Sequence, residues 1–589
     1  MQQDSRVFLG ALGLSVTLAA CSTLPQPFRY SARLSTQTAF VAAEVSQIRG
    51  LQMRGEVSVS TKDKASLRRT FEKLIEEEWS EHDDGTERAY KLFGLLPEDM
   101  DLRSFLLDLY SGQIAGYYDP KQGEFFVIET AADGTEEKTS EVIKNFVIAH
   151  ELVHALQDQH FDLESIQGEF KSENDRGLAA AAVMEGDATL TGFDHLLWQR
   201  VGWPATLSDP AGRGTVALLA GLGERLGMSG DTPEARQLRE APDVIRTELL
   251  FAYLQGMAFI SAIQAEFGRE GVDAVFQDLP DSSEQILHPE RYLDRRDRPA
   301  TIHLAEPPRH WGPVFSETLG MLTMQVLLRE HLGRRAARAA KGWDGDRYVV
   351  WETPEGVALG WVTVWDRPHR ARCFERTYRR LLERKLGDEG GFAIVRRDRV
   401  VVAVEGARAI ELEAAAERLL ESRIERPAEA DPESWLVRSL LWPLSTRRLD
   451  RVRETSALGG NLFRLRHHER GHQFSFLRGL LGRSERNPDR RQLSTAAGLI
   501  WTSADSNHDY HSWGLIPLID FHSRRVTTER HAEFGLVRLP FLGALFAVRR
   551  GTGFTSTELL RGLLLRIQWG PRVRRGGRVR LLMLPIPGL

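Results

Sequence analysis

The sequence predicts an α+β protein of several domains: a mainly helical domain, a small α+β domain and a β-rich C-terminal region. Its 589 residues exceed what one hydrophobic core usually organises. Apolar residues recur at helical spacing in residues 141–159 and 247–267, whereas residues 331–430 read as strand-strand-helix-strand-helix. From Asp431 onward, alternating segments separated by Gly and Pro predict short strands.

The first 21 residues are predicted to be a bacterial lipoprotein signal peptide. Their apolar core, residues 7–18, is too short for a stable transmembrane helix. Leu18-Ala-Ala-Cys21 then resembles the bacterial lipobox, in which the cysteine is lipidated and becomes the new N-terminus. The alternative is an ordinary signal peptide with an incidental cysteine. We expect a lipid on Cys21, attachment to a membrane of the bacterial cell envelope (outer membrane or periplasmic face), and a polar linker over residues 22–50.

Residues 51–330 are predicted to form the helical domain, which begins with a strand at 54–60 and helices at 64–79 and 102–109. Two apolar segments, 114–118 and 124–128, flank Asp-Pro-Lys-Gln-Gly, and this turn chemistry predicts a β-hairpin.

The helix predicted next carries His150-Glu-Leu-Val-His154, an H-E-x-x-H motif. Residues four apart lie on one face of a helix, so His150 and His154 can present two imidazole nitrogens to one metal ion. Glu151 lies close enough to orient a metal-bound water and act as general base. The motif also occurs by chance, but its flanks are apolar nearly all round. Two histidines and a glutamate in a buried helix need partners, and a metal supplies them.

The third metal ligand is predicted downstream, after the helix-forming segment 178–184. Glu185 ends this apolar segment, and a buried carboxylate is far less costly when it binds a metal. We choose Glu185 over Asp187; the alternative is that both acids face solvent at a helix bend.

The combination of His150-Glu-Leu-Val-His-Ala-Leu-Gln-Asp-Gln-His160 with Glu185-Gly-Asp-Ala188 resembles the gluzincins, which are zinc metallopeptidases with H-E-x-x-H plus Glu. It is most similar to uncharacterised bacterial secreted and lipoprotein members, over roughly residues 90–330. The resemblance implies a zincin-like domain in which His150, His154 and Glu185 bind Zn²⁺ and Glu151 is the base. The sequence departs from thermolysin-like enzymes at Thr189, where they place an Asp that holds a ligand histidine, so the orienting group is left open.

A zinc peptidase needs a His or Tyr beside the metal to stabilise the developing oxyanion. The long helix predicted at 247–267 contains Tyr253, and the segment after a helix start at 280–285 contains His288 and Tyr292. We nominate His288 and Tyr253 as catalytic, with purely structural roles as the alternative for each.

The C-terminal region, residues 431–589, is rich in arginine: it holds 26 Arg and no Lys against 13 Asp and Glu, although the whole chain has a formal charge of −5. This surplus could face an anionic envelope surface or dock onto the acidic remainder of the chain. The cluster His467-His468-Glu469…His472 lacks helical metal spacing and is predicted to be a surface loop. No nucleic-acid motif is present, and we expect no nucleic-acid partner.

These observations predict a lipid-anchored zinc metallopeptidase that cleaves a peptide or protein substrate. The hairpin before the metal helix either pairs with an extended substrate or only packs on the core. The alternative function is a non-catalytic envelope scaffold with a structural zinc. A fourth protein ligand that closes the site would favour the scaffold, and an open position would favour the enzyme.

Overall fold

The computed structural model is a multidomain α+β protein, so the fold class predicted from the sequence is confirmed. It describes residues 32–426, with gaps at 114–115, 130–140, 171, 202–232, 294–295, 355, 388–390 and 407–408. From Leu444 to Pro585 it describes mainly the strands, without most of their connections. The predicted signal peptide and Cys21 lie outside the described residues.

Most of the segment predicted as a linker is instead a helix, α1 (Ala32–Arg49). Val41 and Val45, one helical turn apart, are 2% and 0% exposed and share a hydrophobic cluster with Leu152 and Leu156. The linker prediction is wrong for these residues. Ser, Thr and Gln lower the apparent helix signal, but helices in proteins gain most of their stability from tertiary packing, which local composition does not report.

A three-stranded sheet of order β1-β3-β2 lies next to the helix that carries His150 and His154. The predicted hairpin is confirmed: β2 and β3 are antiparallel, and β1 adds in parallel to β3. Asp119 stabilises the turn, because its Oδ1 accepts the backbone N–H groups of Lys121 at 3.0 Å and Gln122 at 3.2 Å. The elements of this part are β1 (Ser58–Asp63), α2 (Lys64–Glu78), α3 (Glu81–Phe93), α4 (Leu102–Gln113), β2 (Gly116–Asp119) and β3 (Glu124–Glu129).

The rest of the described part of this domain is helical. They are α5 (Glu141–Phe161), α6 (Leu163–Glu169), α7 (Asn174–Val201), α8 (Pro233–Glu240), α9 (Asp243–Gln277), α10 (Ser283–Leu287) and α11 (Glu290–Leu293). Helices α7 and α9 cross with their backbones in contact: a Cβ on Gly186 would lie 2.2 Å from the carbonyl carbon of Gly256. Glycine at both positions therefore permits this close crossing. Helix α9 bends at Gly268, whose φ of +75° suits a residue without a Cβ.

One segment of the described chain, Asp243–Ala265 in α9, is long and apolar enough to cross a membrane, and half of that window is buried inside the protein. Phe251, Met257 and Phe259 within it are at most 2% exposed and belong to a hydrophobic core cluster. We therefore describe this segment as a core helix.

The small α+β domain is built on an antiparallel sheet of order β5-β6-β7-β9-β8. Its elements are β4 (Thr301–His303), β5 (Gly312–Glu317), α12 (Gly320–Leu332), a 3₁₀ helix (Ala336–Ala340), β6 (Trp343–Thr353), β7 (Gly356–Trp365), α13 (Pro368–Leu386), β8 (Phe392–Arg397), β9 (Val400–Glu405), α14 (Ala409–Leu419) and β10 (Arg423–Glu425). The domain boundary predicted at 330/331 falls inside this unit, because β5 pairs with β6 and β4 with β10. Pairing between distant strands is a tertiary property that the local pattern of β5 does not encode.

In the described part of the C-terminal region, fifteen strands pair in chain order in one antiparallel sheet, so the predicted β-rich character is confirmed. Its strands are β11 (Leu444–Leu449), β12 (Val452–Ala457), β13 (Phe463–His468), β14 (Gly471–Phe476), β15 (Gly482–Arg486), β16 (Arg490–Thr495), β17 (Ile500–Asp505), β18 (Tyr510–Leu515), β19 (Ile519–Val526), β20 (Glu529–Leu539), β21 (Gly543–Gly551), β22 (Phe554–Leu559), β23 (Leu565–Trp569), β24 (Val579–Leu581) and β25 (Leu584–Pro585). The histidines predicted to lie in a surface loop belong to strands instead, where His467 of β13 pairs with His472 of β14.

Candidate metal centre

Helix α5 presents the two histidines of the motif on one buried face. His150 and His154 are 7% and 2% exposed, and their Nε2 atoms lie 3.2 Å apart. The imidazole planes are nearly perpendicular, at 85°, so the two lone pairs can converge on one point. The i,i+4 spacing has placed both rings as the sequence predicts.

Helix α7 adds Glu185, which is 1% exposed. Its Oε2 lies 3.0 Å from His150 Nε2 and 3.5 Å from His154 Nε2. The neighbouring Gly186 allows α7 to touch α9, so this carboxylate is enclosed between helices and has little access to water. The structure thus brings together the three residues that the sequence nominated as metal ligands, and Asp187 takes a different place.

The spacing of these atoms fits zinc. Ligand atoms at 2.0–2.1 Å from a tetrahedral Zn²⁺ are about 3.3 Å from one another. The three observed separations, 3.0, 3.2 and 3.5 Å, bracket this value. Two imidazole nitrogens and one carboxylate oxygen are also a donor set that zinc accepts.

Glu185 and His154 shift each other's pKa in the directions that a buried pair of opposite charge requires. Burial raises the pKa of Glu185, but the neighbouring His154 and His150 outweigh burial and lower it to about 2. Burial lowers the pKa of His154, but Glu185 outweighs it and raises the pKa to about 9. A proton on His154 must therefore leave before its nitrogen can bind a metal, so metal binding would release a proton.

Glu151 lies beside the cluster but is not one of the three converging ligands. Burial is the main cause that raises the pKa of its carboxyl. Its Oε2 accepts the backbone N–H of Tyr118 at 2.8 Å, and Tyr118 belongs to the edge strand β2. A buried carboxylate of raised pKa, held by one hydrogen bond next to a metal cluster, is suited to accept a proton.

Gln157 orients His154, a role that the sequence left unassigned. The amide nitrogen of Gln157 donates to the carbonyl of Met184 and to Asp187 Oδ2, both at 3.0 Å. Its Oε1 therefore faces His154 Nδ1, at 2.9 Å, and the hydrogen must lie on Nδ1. This tautomer leaves the Nε2 lone pair free for a metal.

Two charged residues hold Gln157 in place. Arg49 Nε donates to Asp187 Oδ2 at 2.8 Å, and Arg49 Nη1 lies 2.7 Å from Asp273. The sequence places Asp187 near the position where thermolysin-like enzymes carry an orienting Asp, but it gives no sign of Arg49, because the segment of α1 is predicted to be a linker. Gln157 lies three residues after His154 on the same helix, and this i,i+3 spacing is the sequence feature that indicates a contact between the two side chains.

We expect Gln157→Leu to weaken zinc binding by about 10- to 100-fold, the usual loss when a group that orients a metal ligand is removed. Competition with a chelating dye would measure the affinity. Gln159→Leu is the matched control, because Gln159 lies on the same helix but bonds to Arg54 and Gly55. Equal zinc affinity in wild type and Gln157→Leu would contradict the orienting role.

The two oxyanion candidates lie in different places. The Tyr253 ring stacks on His150, with centroids 5.9 Å apart, and burial together with the charges of Glu185 and Glu151 raises the pKa of its hydroxyl well above its usual range. His288 is half-buried near Glu290, with Nδ1 3.5 Å from Oε1, and Tyr292 donates to the carbonyl of Asp278. His288 is therefore not part of the cluster, and the prediction of a catalytic role for it is not supported by its contacts.

A second group of acids, Asp297, Asp344 and Asp366, also lies close together. Arginines already neutralise these carboxylates: Arg291 contacts Asp297 and Asp366, and Arg426 contacts Asp344 at 3.1 Å. We assign this group to structural ion pairing.

A family model described as a domain of unknown function (DUF8575) matches residues 309–422. The match covers the central sheet of the small α+β domain and lies outside the metal cluster. No curated protein and no solved structure matches the chain.

Proposed function

We propose that the protein is a zinc-dependent metallopeptidase. The observation that carries this proposal is the convergence of His150 Nε2, His154 Nε2 and Glu185 Oε2 at spacings that suit tetrahedral zinc, with Glu151 beside them. Among the described residues the cluster has three protein ligands, which is the number that catalytic zinc sites use. That count favours the enzyme over a scaffold whose zinc is closed by a fourth protein ligand.

Zinc bound there would polarise the substrate carbonyl and make a coordinated water more acidic. Glu151 accepts the proton from the water that attacks the carbonyl carbon. It then delivers that proton to the amine nitrogen as the C–N bond breaks, so protons balance over the reaction. Tyr253, which stacks on His150, is the candidate to stabilise the oxyanion.

The position of β2 supports an extended peptide as substrate. It is an edge strand of its sheet, so backbone groups along one side have no strand partner in the described part of the chain. The hydrogen bond from Tyr118 N–H to Glu151 brings that side to the cluster. Because the four residues of β2 are buried and the Tyr118 N–H is bonded to Glu151, a peptide that pairs along this edge has to displace that contact, which would bring its backbone beside the reacting groups.

The test combines metal analysis with a broad peptide-library digest of the chain from Ser22 onward. We expect one zinc per chain, cleavage that stops when zinc is chelated, and recovery when zinc is returned. Stoichiometric zinc without cleavage of any library member would favour the structural-zinc scaffold. No bound zinc would contradict both functions.

A further inference from the structure

The C-terminal sheet exposes an apolar face, unlike a sheet whose apolar face packs on a soluble core. Residues paired directly across strands share a face. The row that runs by successive pairing from Leu465 to Ile567 contains no charged residue. Within it, Phe474, Leu493, Trp513 and Phe534 are 36–48% exposed.

A second row lies on the same face, two residues from the first row on each strand. It runs by successive pairing from Phe463 to Leu581 and also contains no charged residue. Ile500, Leu515, Leu536 and Phe546 in this row are 38–48% exposed. Strands β14 to β23 are ten neighbours, so the two rows extend over about 43 Å at the usual strand spacing. A contiguous exposed apolar surface of this extent indicates a binding surface.

The opposite face carries the polar residues. Gln473 and Ser556 belong to a row that also holds Glu485, Glu533 and Arg549. Gln473 and Ser556 are 8% and 1% exposed. These two polar residues of the opposite face are therefore buried, whereas the large apolar residues of the first face are exposed.

A basic row borders the apolar face on one side. It pairs His467, His472, Arg486 and Arg491 successively and continues through His511 to Arg550 with no acidic member. Arg486, Arg491 and Arg550 are exposed. On β18, His511 of the basic row is four residues from Leu515 of the second apolar row, which corresponds to about 13 Å of strand.

The connecting sequences differ in polarity between the two ends of the strands. Beyond the outer apolar row the chain reads Leu515-Ile-Pro-Leu-Ile519 and Leu539-Pro-Phe-Leu-Gly543, while two further connections at this end, 477–481 and 560–564, each contain one arginine. Beyond the basic row it reads Arg486-Asn-Pro-Asp-Arg490 and Asp505-Ser-Asn-His-Asp-Tyr510. On this face of the sheet, the paired rows therefore change from basic to apolar along the strand direction.

We propose that this face binds the surface of an anionic phospholipid bilayer. The exposed arginines of the basic row contact the lipid phosphates, and the exposed side chains of the two apolar rows enter the outer acyl region of one leaflet. The sheet lies with this face against the bilayer, so that the charged residues of the opposite face stay outside the hydrocarbon. The charge complementarity decides for a membrane over a protein partner: a row of exposed arginines and histidines next to an apolar surface matches headgroups above hydrocarbon. This contact is independent of the lipid expected on Cys21 and of the metal cluster.

The experiment uses the full chain from Ser22 onward, so that no N-terminal lipid contributes, and measures flotation with vesicles. We expect binding to phosphatidylglycerol-phosphatidylethanolamine vesicles and weaker binding to phosphatidylcholine. The double variant Trp513→Ser/Phe534→Ser should lose about tenfold or more on both, because exposed apolar area is removed. The triple variant Arg486→Gln/Arg491→Gln/Arg550→Gln should lose about fivefold per charge, and only on anionic vesicles.

Two control variants test whether the effect is specific to the apolar face. Val314→Ser removes a 45%-exposed apolar residue from β5 of the small α+β domain and should float like wild type. Trp513→Phe keeps the apolar surface and should retain binding, while quenching by brominated lipid decreases because Trp513 is absent. The proposal is overturned if wild type binds neither vesicle, if the Trp513→Ser/Phe534→Ser variant floats like wild type, or if that variant instead dissociates a stable oligomer that vesicles leave unchanged.

Discussion

Replacing Glu151 with Gln should leave zinc bound and reduce peptide cleavage by about 10²- to 10⁴-fold, the usual contribution of a general base. Glutamine keeps the volume of the side chain, and its carbonyl oxygen can still accept the N–H of Tyr118 that Glu151 Oε2 accepts at 2.8 Å. It cannot take a proton from water at neutral pH. The loss should therefore fall on kcat, with zinc content and melting temperature close to those of wild type.

Glu164→Gln is the matched control for this variant. Glu164 lies on α6, is exposed, and belongs neither to the metal cluster nor to the β2 edge. The same chemical change there should leave cleavage unchanged. Cleavage by Glu151→Gln at the wild-type rate would show that a group other than Glu151 accepts the proton from the attacking water.

The second large effect is expected from His154→Ala, which should remove most of the zinc. The loss of affinity should exceed the 10- to 100-fold expected for Gln157→Leu, because a ligand is removed instead of a group that orients it. Wild type should also melt at a lower temperature after chelation, since a metal that binds the folded state stabilises it by mass action. In His154→Ala this difference between the metal-loaded and chelated protein should disappear.

His160→Ala provides the comparison on the same helix. His160 lies outside the cluster and its Nε2 contacts the carbonyl of Gln52 at 2.8 Å. It should retain zinc and the chelation-induced change in melting temperature. Full zinc retention in His154→Ala, measured by elemental analysis, would be incompatible with the three-ligand site.

The sequence alone was sufficient for features that depend on local spacing. An i,i+4 pair of histidines on a helix faces one point in any helix, and the hairpin of β2 and β3 is specified by alternation and by Asp119 and Gly123 in its turn. Glu185 could be nominated because a carboxylate that ends an apolar segment needs a partner.

The tertiary structure decided what depends on contacts between distant segments. Only the packing of α1 shows that Arg49 fixes Asp187, which fixes Gln157, which fixes the tautomer of His154. Likewise, residue type alone does not distinguish His288 from Tyr253 as a catalytic candidate. Tyr253 lies on α9 next to the close crossing with α7 at Gly186 and Gly256, and it stacks on His150 in the cluster. Strand register also depends on distant segments. The apolar face of the C-terminal sheet exists because the register aligns uncharged positions across neighbouring strands, and the sequence of one strand does not specify its register with the next.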